Sequence, residues 1–214
     1  MNDFSNQAGR TLVEAMIAAI QANADLLSQI DGAIGDGDHG INMRKGFSLC
    51  AERLAGRDWN LAEGLSVLGD VLLEEIGGAM GPLYGSCFRE MAQVAQGKER
   101  IDQGVFGAML QRSAAAVMEL GGAQVGDKTL IDALVPAIEA FDAAIADSET
   151  FSVALARLAA AAERGKDSTK DMISRIGRSS RLGERSRGVL DAGSVSCWLL
   201  LAAMAGAAQD LMAA

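Results

Sequence analysis

The stretch Asp31-Gly32-Ala33-Ile34-Gly35-Asp36-Gly37-Asp38-His39-Gly40-Ile41-Asn42 decides the architecture. It separates two segments of helical periodicity. Before it, Leu12, Val13, Met16, Ile17, Ile20, Leu27 and Ile30 share one face of a helix predicted over about 6–30. After it, Met43, Phe47, Cys50 and Leu54 do the same over about 41–55. A short glycine-rich connection between two such helices favours antiparallel neighbours.

The same unit repeats along the chain. Helix three is predicted from an Asn60 cap to about 76, through Leu61, Leu65, Leu68 and Leu72. Helix four begins with Pro82 at its first position and runs to about 97. Helix five covers about 102–120 behind an Asp102 cap, and helix six about 128–146, with Pro136 inside it. Helix seven starts at Thr150, carries Leu155, Leu158 and Ala162, and extends on through Met172, Ile173 and Ile176. Helix eight covers about 192–213. No segment alternates as a half-buried strand does, so no sheet is expected. The expectation is an all-α, eight-helix, up-and-down antiparallel bundle.

Composition agrees. Apolar residues make up 50% of 214 residues and aromatics only 4%, which suits closely packed helices. There are 25 glycines and 2 prolines, and 15 of the glycines fall in four alternate connections, around 32–40, 77–85, 121–126 and 177–193. Alternate connections of an up-and-down bundle lie at one end, so these loops are expected to share a rim. Glycine permits close backbone approach and positive φ there; flexible turns would show the same spacing. The net charge of −9 disfavours a global nucleic-acid binder. Cys50, Cys87 and Cys197 have neither ligand spacing nor an even count. The first residues lack the basic and apolar regions of a signal peptide. The most apolar run, Val195 to Ala208, is 14 residues long, short of the ~20 needed to span a bilayer. The chain reads as soluble and cytoplasmic, with no membrane and no nucleic acid among its partners.

The first loop holds Asp31, Asp36 and Asp38 with no basic neighbour before Arg44. Carboxylates gathered this way repel one another unless a cation is present. Oxygen donors alone suit Mg²⁺ or Ca²⁺ rather than zinc. An EF-hand starting at Asp36 needs Glu at its twelfth position, where Phe47 stands. The alternative is a solvated acidic turn capping helix two. His39, the single histidine, is either a structural core residue or a contact to phosphate or base. The second loop, Gly77-Gly78-Ala79-Met80-Gly81-Pro82, leads into a helix N-terminus, which favours anions. From Arg157 to Arg187 nine basic residues face four acidic ones. Part of this is a solvated helix face, but Gly177-Arg178-Ser179-Ser180-Arg181 offers Arg and Ser donors suited to phosphate oxygens. Asp191 is either the cap of helix eight or a ligand contact. A metal–nucleotide site follows, and phosphoryl transfer there needs positioning and charge neutralisation, with no catalytic nucleophile.

Four ordered motifs, Gly35-Asp36-Gly37-Asp38-His39-Gly40-Ile41-Asn42-Met43, Gly81-Pro82-Leu83-Tyr84-Gly85, Gly126-Asp127-Lys128-Thr129-Leu130-Ile131-Asp132 and Gly177-Arg178 with Leu182-Gly183-Glu184-Arg185-Ser186, resemble the ADP/ATP-binding L subunit or domain of dihydroxyacetone kinases. The resemblance covers nearly all of 1–214 and implies a single L-type domain, an eight-helix antiparallel barrel with the nucleotide at one rim. It implies that Asp31, Asp36 and Asp38 hold a pair of Mg²⁺ ions. His39, Gly40, Ile41 and Asn42 would lie beside ADP or ATP, the backbone of Ala79 and Met80 by the phosphates, and Gly121 and Leu130 around adenine and ribose. Arg178 and Asp191 would complete the pocket. The ketose, a triose or tetrulose, would be held by a K-type partner subunit. The phosphoryl source would be ATP, or a phosphohistidine protein of the phosphotransferase system acting on retained ADP. A homodimer is compatible with this reading. Three positions depart from the family pattern: Met80 replaces a small hydroxyl residue, whose role Ser86 could take over, Ala192 replaces Pro, and Leu130 stands where Met is common. A nucleotide or metal sensor, or a kinase domain for another small substrate, are the alternatives. The fatty-acid kinases fit less well, since their nucleotide domain generally lacks the histidine after the aspartates and the Gly-Glu-Arg-Ser stretch.

Overall fold

The computed structural model describes residues 2–214. Among these, eight α-helices carry the fold: α1 (Arg10–Ile34), α2 (His39–Leu54), α3 (Leu61–Glu75), α4 (Met80–Ala95), α5 (Gln103–Gly121), α6 (Ile131–Ala146), α7 (Phe151–Ser168) and α8 (Ala192–Ala213). Each packs on the next in sequence, and α8 packs back on α1 to close the ring. Most connections are only a few residues long, so consecutive helices run antiparallel.

Local chemistry sets the helix starts. Asn60 accepts the Glu63 amide at 3.1 Å while the Glu63 carboxylate accepts the Asn60 amide at 2.9 Å, a reciprocal capping box. Asp102, Thr150 and Asp191 each accept an amide from the first turn of α5, α7 and α8. The interior is filled by aliphatic side chains and a few rings, with Phe106, Phe141 and Phe151 in mutual contact. Close approach matters most at Gly40. A Cβ there would lie 1.9 Å from the Ala24 carbonyl oxygen, so only glycine lets α2 lie this near α1.

Several expectations are corrected. A small sheet exists: β1 (Asp3–Ser5) pairs antiparallel with β2 (Arg100–Asp102), Phe4 opposite Ile101. Strands of three residues are too short to show alternation. The first helix runs on to Ile34, which places Asp31 in its last turn rather than in the loop. Helix four begins at Met80, two residues ahead of Pro82, which still lies in the first turn where its missing N–H costs little. Pro136 lies inside α6, as expected. Helix seven stops at Ser168, and a single 3-10 turn, Thr169–Asp171, follows. The hydroxyls of Ser168 and Thr169 donate back to the carbonyls of Gly165 and Lys166, at 2.6 Å each, which competes with propagation. Met172, Ile173 and Ile176 therefore belong to the connection into α8, whose second 3-10 stretch is Arg178–Ser186. Finally, the 14-residue apolar run is part of the 22-residue α8, which by length and composition could cross a membrane; here half of that stretch is buried inside the ring.

Candidate functional site

The four glycine-bearing connections meet at one end of the ring and line a single cleft of about 270 Å³. The α1–α2 turn contributes Asp31, Asp36, Asp38, His39 and Asn42. The α3–α4 turn contributes Gly77 to Met80, followed by Leu83 and Tyr84. The α5–α6 connection brings Lys128, Thr129 and Leu130, and the long α7–α8 connection brings Ile176 to Ser179 and Asp191 to Gly193.

One corner is acidic. Asp31, Asp36 and Asp38 each offer a carboxylate oxygen within 4.8 Å of the others. Gly37, at φ +78°, turns the chain between the last two. Asp31 Oδ2 accepts the His39 amide at 3.3 Å, tying the end of α1 to the start of α2. Three hard oxygen donors this close fit Mg²⁺ or Ca²⁺ and not zinc. Arg44 turns instead to Asp25, at 2.6 Å. The local counter-charge is Arg178, paired with Asp36 and 3.9 Å from Asp38. The carboxylates that look unpaired along the chain thus meet a guanidinium from the opposite loop.

His39 faces inward. Its Nε2 lies 2.9 Å from Ser196 Oγ, and that hydroxyl lies 2.7 Å from Tyr84 Oη, which donates to the Gly193 carbonyl at 3.1 Å. Burial pushes the imidazole down to about 4, with Asp31 opposing, so the ring is neutral at pH 7. A neutral imidazole bonded to a hydroxyl orients; it does not supply charge. Asp191 caps α8, with Oδ2 accepting the Ser194 amide at 2.6 Å. Burial raises its carboxyl to about 7, opposed by the Ser194 amide. Capping and lining the cleft are therefore one position's two properties.

In the same lining, the amides of Gly78 and Ala79 meet no backbone acceptor among the described residues, at the end where α4 begins. That is an anion-accepting geometry. Met80, Leu130 and Ala192, the three positions expected to depart from the family pattern, all line the cleft, while Ser86 does not. Gly40, Ile41 and Gly121 also stand outside the lining. Gly40 is spent on helix packing, Ile41 is 66% exposed, and Gly121 ends α5 beside Leu83. Sequence reasoning gave no role to Tyr84, Ser196 or Lys128. Lys128 and Tyr84 lie within the Gly126–Asp132 and Gly81–Gly85 motifs, but Ser196 sits in an apolar helix with nothing local to single it out.

Residues 33–206 match the DAK2 domain family model. The chain belongs to this family and is a member of its dihydroxyacetone kinase L-subunit branch. It is 38% identical, over 89% of each chain, to the ADP-binding subunit DhaL of PEP-dependent dihydroxyacetone kinase 2 from Listeria innocua. It is 34% identical to the D-erythrulose kinase of Mycolicibacterium smegmatis over 92% of this chain, which spans 35% of that enzyme. Among solved structures, the dihydroxyacetone kinase from C. freundii in complex with AMP-PNP and Mg²⁺ superposes with a TM-score of 0.69 at 25% identity. That match covers 94% of this chain and about a third (33%) of the larger one.

Proposed function

We propose that this chain is the nucleotide- and Mg²⁺-holding subunit of a dihydroxyacetone-type kinase, working in the cytoplasm beside a K-type subunit that holds the ketose. The observation that carries the reading is the cleft itself. Three convergent carboxylates, a glycine turn opening a helix and an arginine loop lie on one rim, in a chain of this family. ADP is the resident nucleotide, rephosphorylated by a phosphohistidine protein of the phosphotransferase system. Supporting this choice, identity is higher with the subunit named ADP-binding and PEP-dependent than with the erythrulose kinase.

Asp31, Asp36 and Asp38 would hold a pair of Mg²⁺ ions, which when bound neutralise phosphate charge. The amides of Gly78 and Ala79 and the first turn of α4 accept phosphate oxygens. Arg178, which pairs with Asp36 and lies 3.9 Å from Asp38, exchanges these partners for phosphate. His39 and Asn42 orient the nucleotide from the α2 side, and Leu130 with Ala192 gives it an apolar wall. None of these side chains forms a covalent bond with the phosphoryl group; positioning and charge suffice.

Mass spectrometry of the purified protein tests the resident-nucleotide reading: stoichiometric ADP is expected. Reconstitution with a K-type subunit and Mg²⁺ tests the reaction, using dihydroxyacetone or erythrulose. Product with a phosphohistidine donor is expected. Product with ATP alone would replace the resident-ADP route by a consumed nucleotide. Binding without any product would make the chain a nucleotide sensor.

A further inference from the structure

Lys128 is the most enclosed charged side chain of the rim, 1% exposed. No carboxylate lies within ion-pair distance of its ammonium among the described residues. Its partners are backbone carbonyls: Val189 at 2.5 Å, Ser186 at 2.7 Å, Thr169 at 2.8 Å and Met172 at 3.3 Å. An ammonium has three protons, so the three short bonds use them and the longest shares one. These four carbonyls lie at both ends of one connection. Thr169 and Met172 stand where it leaves α7, and Ser186 and Val189 where it returns to α8. Between them the chain is irregular, broken at Gly183, and carries exposed Arg178, Arg181 and Arg185.

Other bonds converge on the same clasp. The Gly188 amide donates to Lys170 O at 2.8 Å, the Ser174 amide to Ser186 Oγ at 2.9 Å, and the Arg175 amide to Asp127 O at 3.1 Å. Lys128 itself sits at φ +63°, a left-handed conformation unusual for a side chain of its size. The buried Asp132 holds that turn from both sides, accepting the amides of Gly126 at 2.5 Å and Thr129 at 2.7 Å. Removing the ammonium would leave buried carbonyls without donors, which open toward water to recover them.

We propose that Lys128 is a positioning residue whose ammonium locks the arginine-bearing connection between α7 and α8 over the cleft, and through it sets Arg178 against the acidic corner. The lock is a property of the chain alone. Its effect on nucleotide rests on the function proposed above.

The test uses the full chain without nucleotide, then with ADP and Mg²⁺. In Lys128→Gly, glycine accepts the positive φ, so the change is the loss of the four-carbon stem with its ammonium, without added backbone strain. Trypsin should cut at Arg178, Arg181 or Arg185 about tenfold faster than in wild type, and ADP·Mg²⁺ should bind about tenfold more weakly. Added n-butylammonium, which matches the deleted atoms, should restore both; n-butanol, which fills the same space with a single O–H donor and no charge, should restore neither. Lys128→Met keeps the stem and should show the same losses. Unchanged protection, equal rescue by n-butanol, or faster cutting with unchanged ADP binding would each overturn the proposal. Loss of helicity in both variants would also overturn it, because the ammonium would then hold the fold rather than the loop. Wild type that fails to bind ADP·Mg²⁺ while trypsin protection still depends on Lys128 would leave the lock intact and remove the nucleotide reading instead.

Discussion

Gly40→Ala tests how the α1–α2 contact builds the acidic corner. The new Cβ would stand 1.9 Å from Ala24 O, 2.6 Å from Ser28 Oγ and 2.7 Å from Ser28 N. The serine hydroxyl can rotate away, but the carbonyl and amide are helix backbone and cannot. Ordinary contact begins near 3.4 Å, so the two helices must separate by about 1.5 Å. Overpacking of this kind costs roughly 1–3 kcal/mol, which in a chain of this length lowers Tm by about 2–12 °C. The displacement reaches function because α1 carries Asp31, and α2 begins with His39 and carries Asn42. A misplacement of about 1 Å among groups that must act together costs on the order of a hundredfold. Thermal melts followed at 222 nm and calorimetric titration with ADP and Mg²⁺ read the two effects. A Tm within a degree of wild type, with unchanged ADP affinity, would refute both the close-approach argument and the coupling of helix spacing to the site.

Gly206→Ala is the complementary case. The position lies inside α8 with nothing within 4 Å of the added Cβ, so stability should rise by about 0.5–1 kcal/mol in denaturant titration. Asp36→Asn should weaken Mg²⁺-dependent ADP binding about tenfold or more. It should leave helicity and Tm nearly unchanged, because its pair with Arg178 is half exposed; equal affinity with and without the substitution would remove Asp36 from the metal site. Asp191→Asn keeps an acceptor for the Ser194 amide but removes a carboxyl whose folded pKa is raised from 3.8 to about 7. A raised acid favours the folded state below its unfolded value and loses that contribution as pH climbs through the folded one. The variant's stability relative to wild type should therefore increase from pH 4 to pH 8, by up to about 4 kcal/mol. A difference that stays flat across this range would mean the carboxyl is ionised in the fold at ordinary pH.

Much of this molecule was legible along the chain wherever the relevant physics is local. Asn60 and Asp102 were readable as helix caps, Thr150 as a helix start and Asp191 as a cap or a ligand contact, because a side-chain acceptor and the amide it serves lie within three residues. The alternation of glycine-rich and ordinary connections implied a shared rim, because up-and-down packing sorts loops by parity. The three-residue strands were not legible, since their pairing partner is nearly a hundred residues away and neither segment is long enough to show a period. The end of α7 was missed because apolar residues at helical spacing continue past Ser168, while the hydroxyls that stop the helix carry no hydrophobic signal.

By itself, the sequence determined the all-α class, the starts of α3, α5, α7 and α8, the family and the acidic cluster. All of these follow from neighbours close along the chain or from ordered motifs. Only the tertiary structure decided what faces that donor set. It set Arg178 against Asp36, placed Ser196 on the ring of His39 157 residues away, and gathered four carbonyls of the α7–α8 connection around Lys128. It also showed that Gly40 is consumed by packing rather than free to approach a ligand. The physical reason is range. Capping, propensity and periodicity act within a turn or two, whereas charge pairing and burial depend on distances that exist only once the ring has closed.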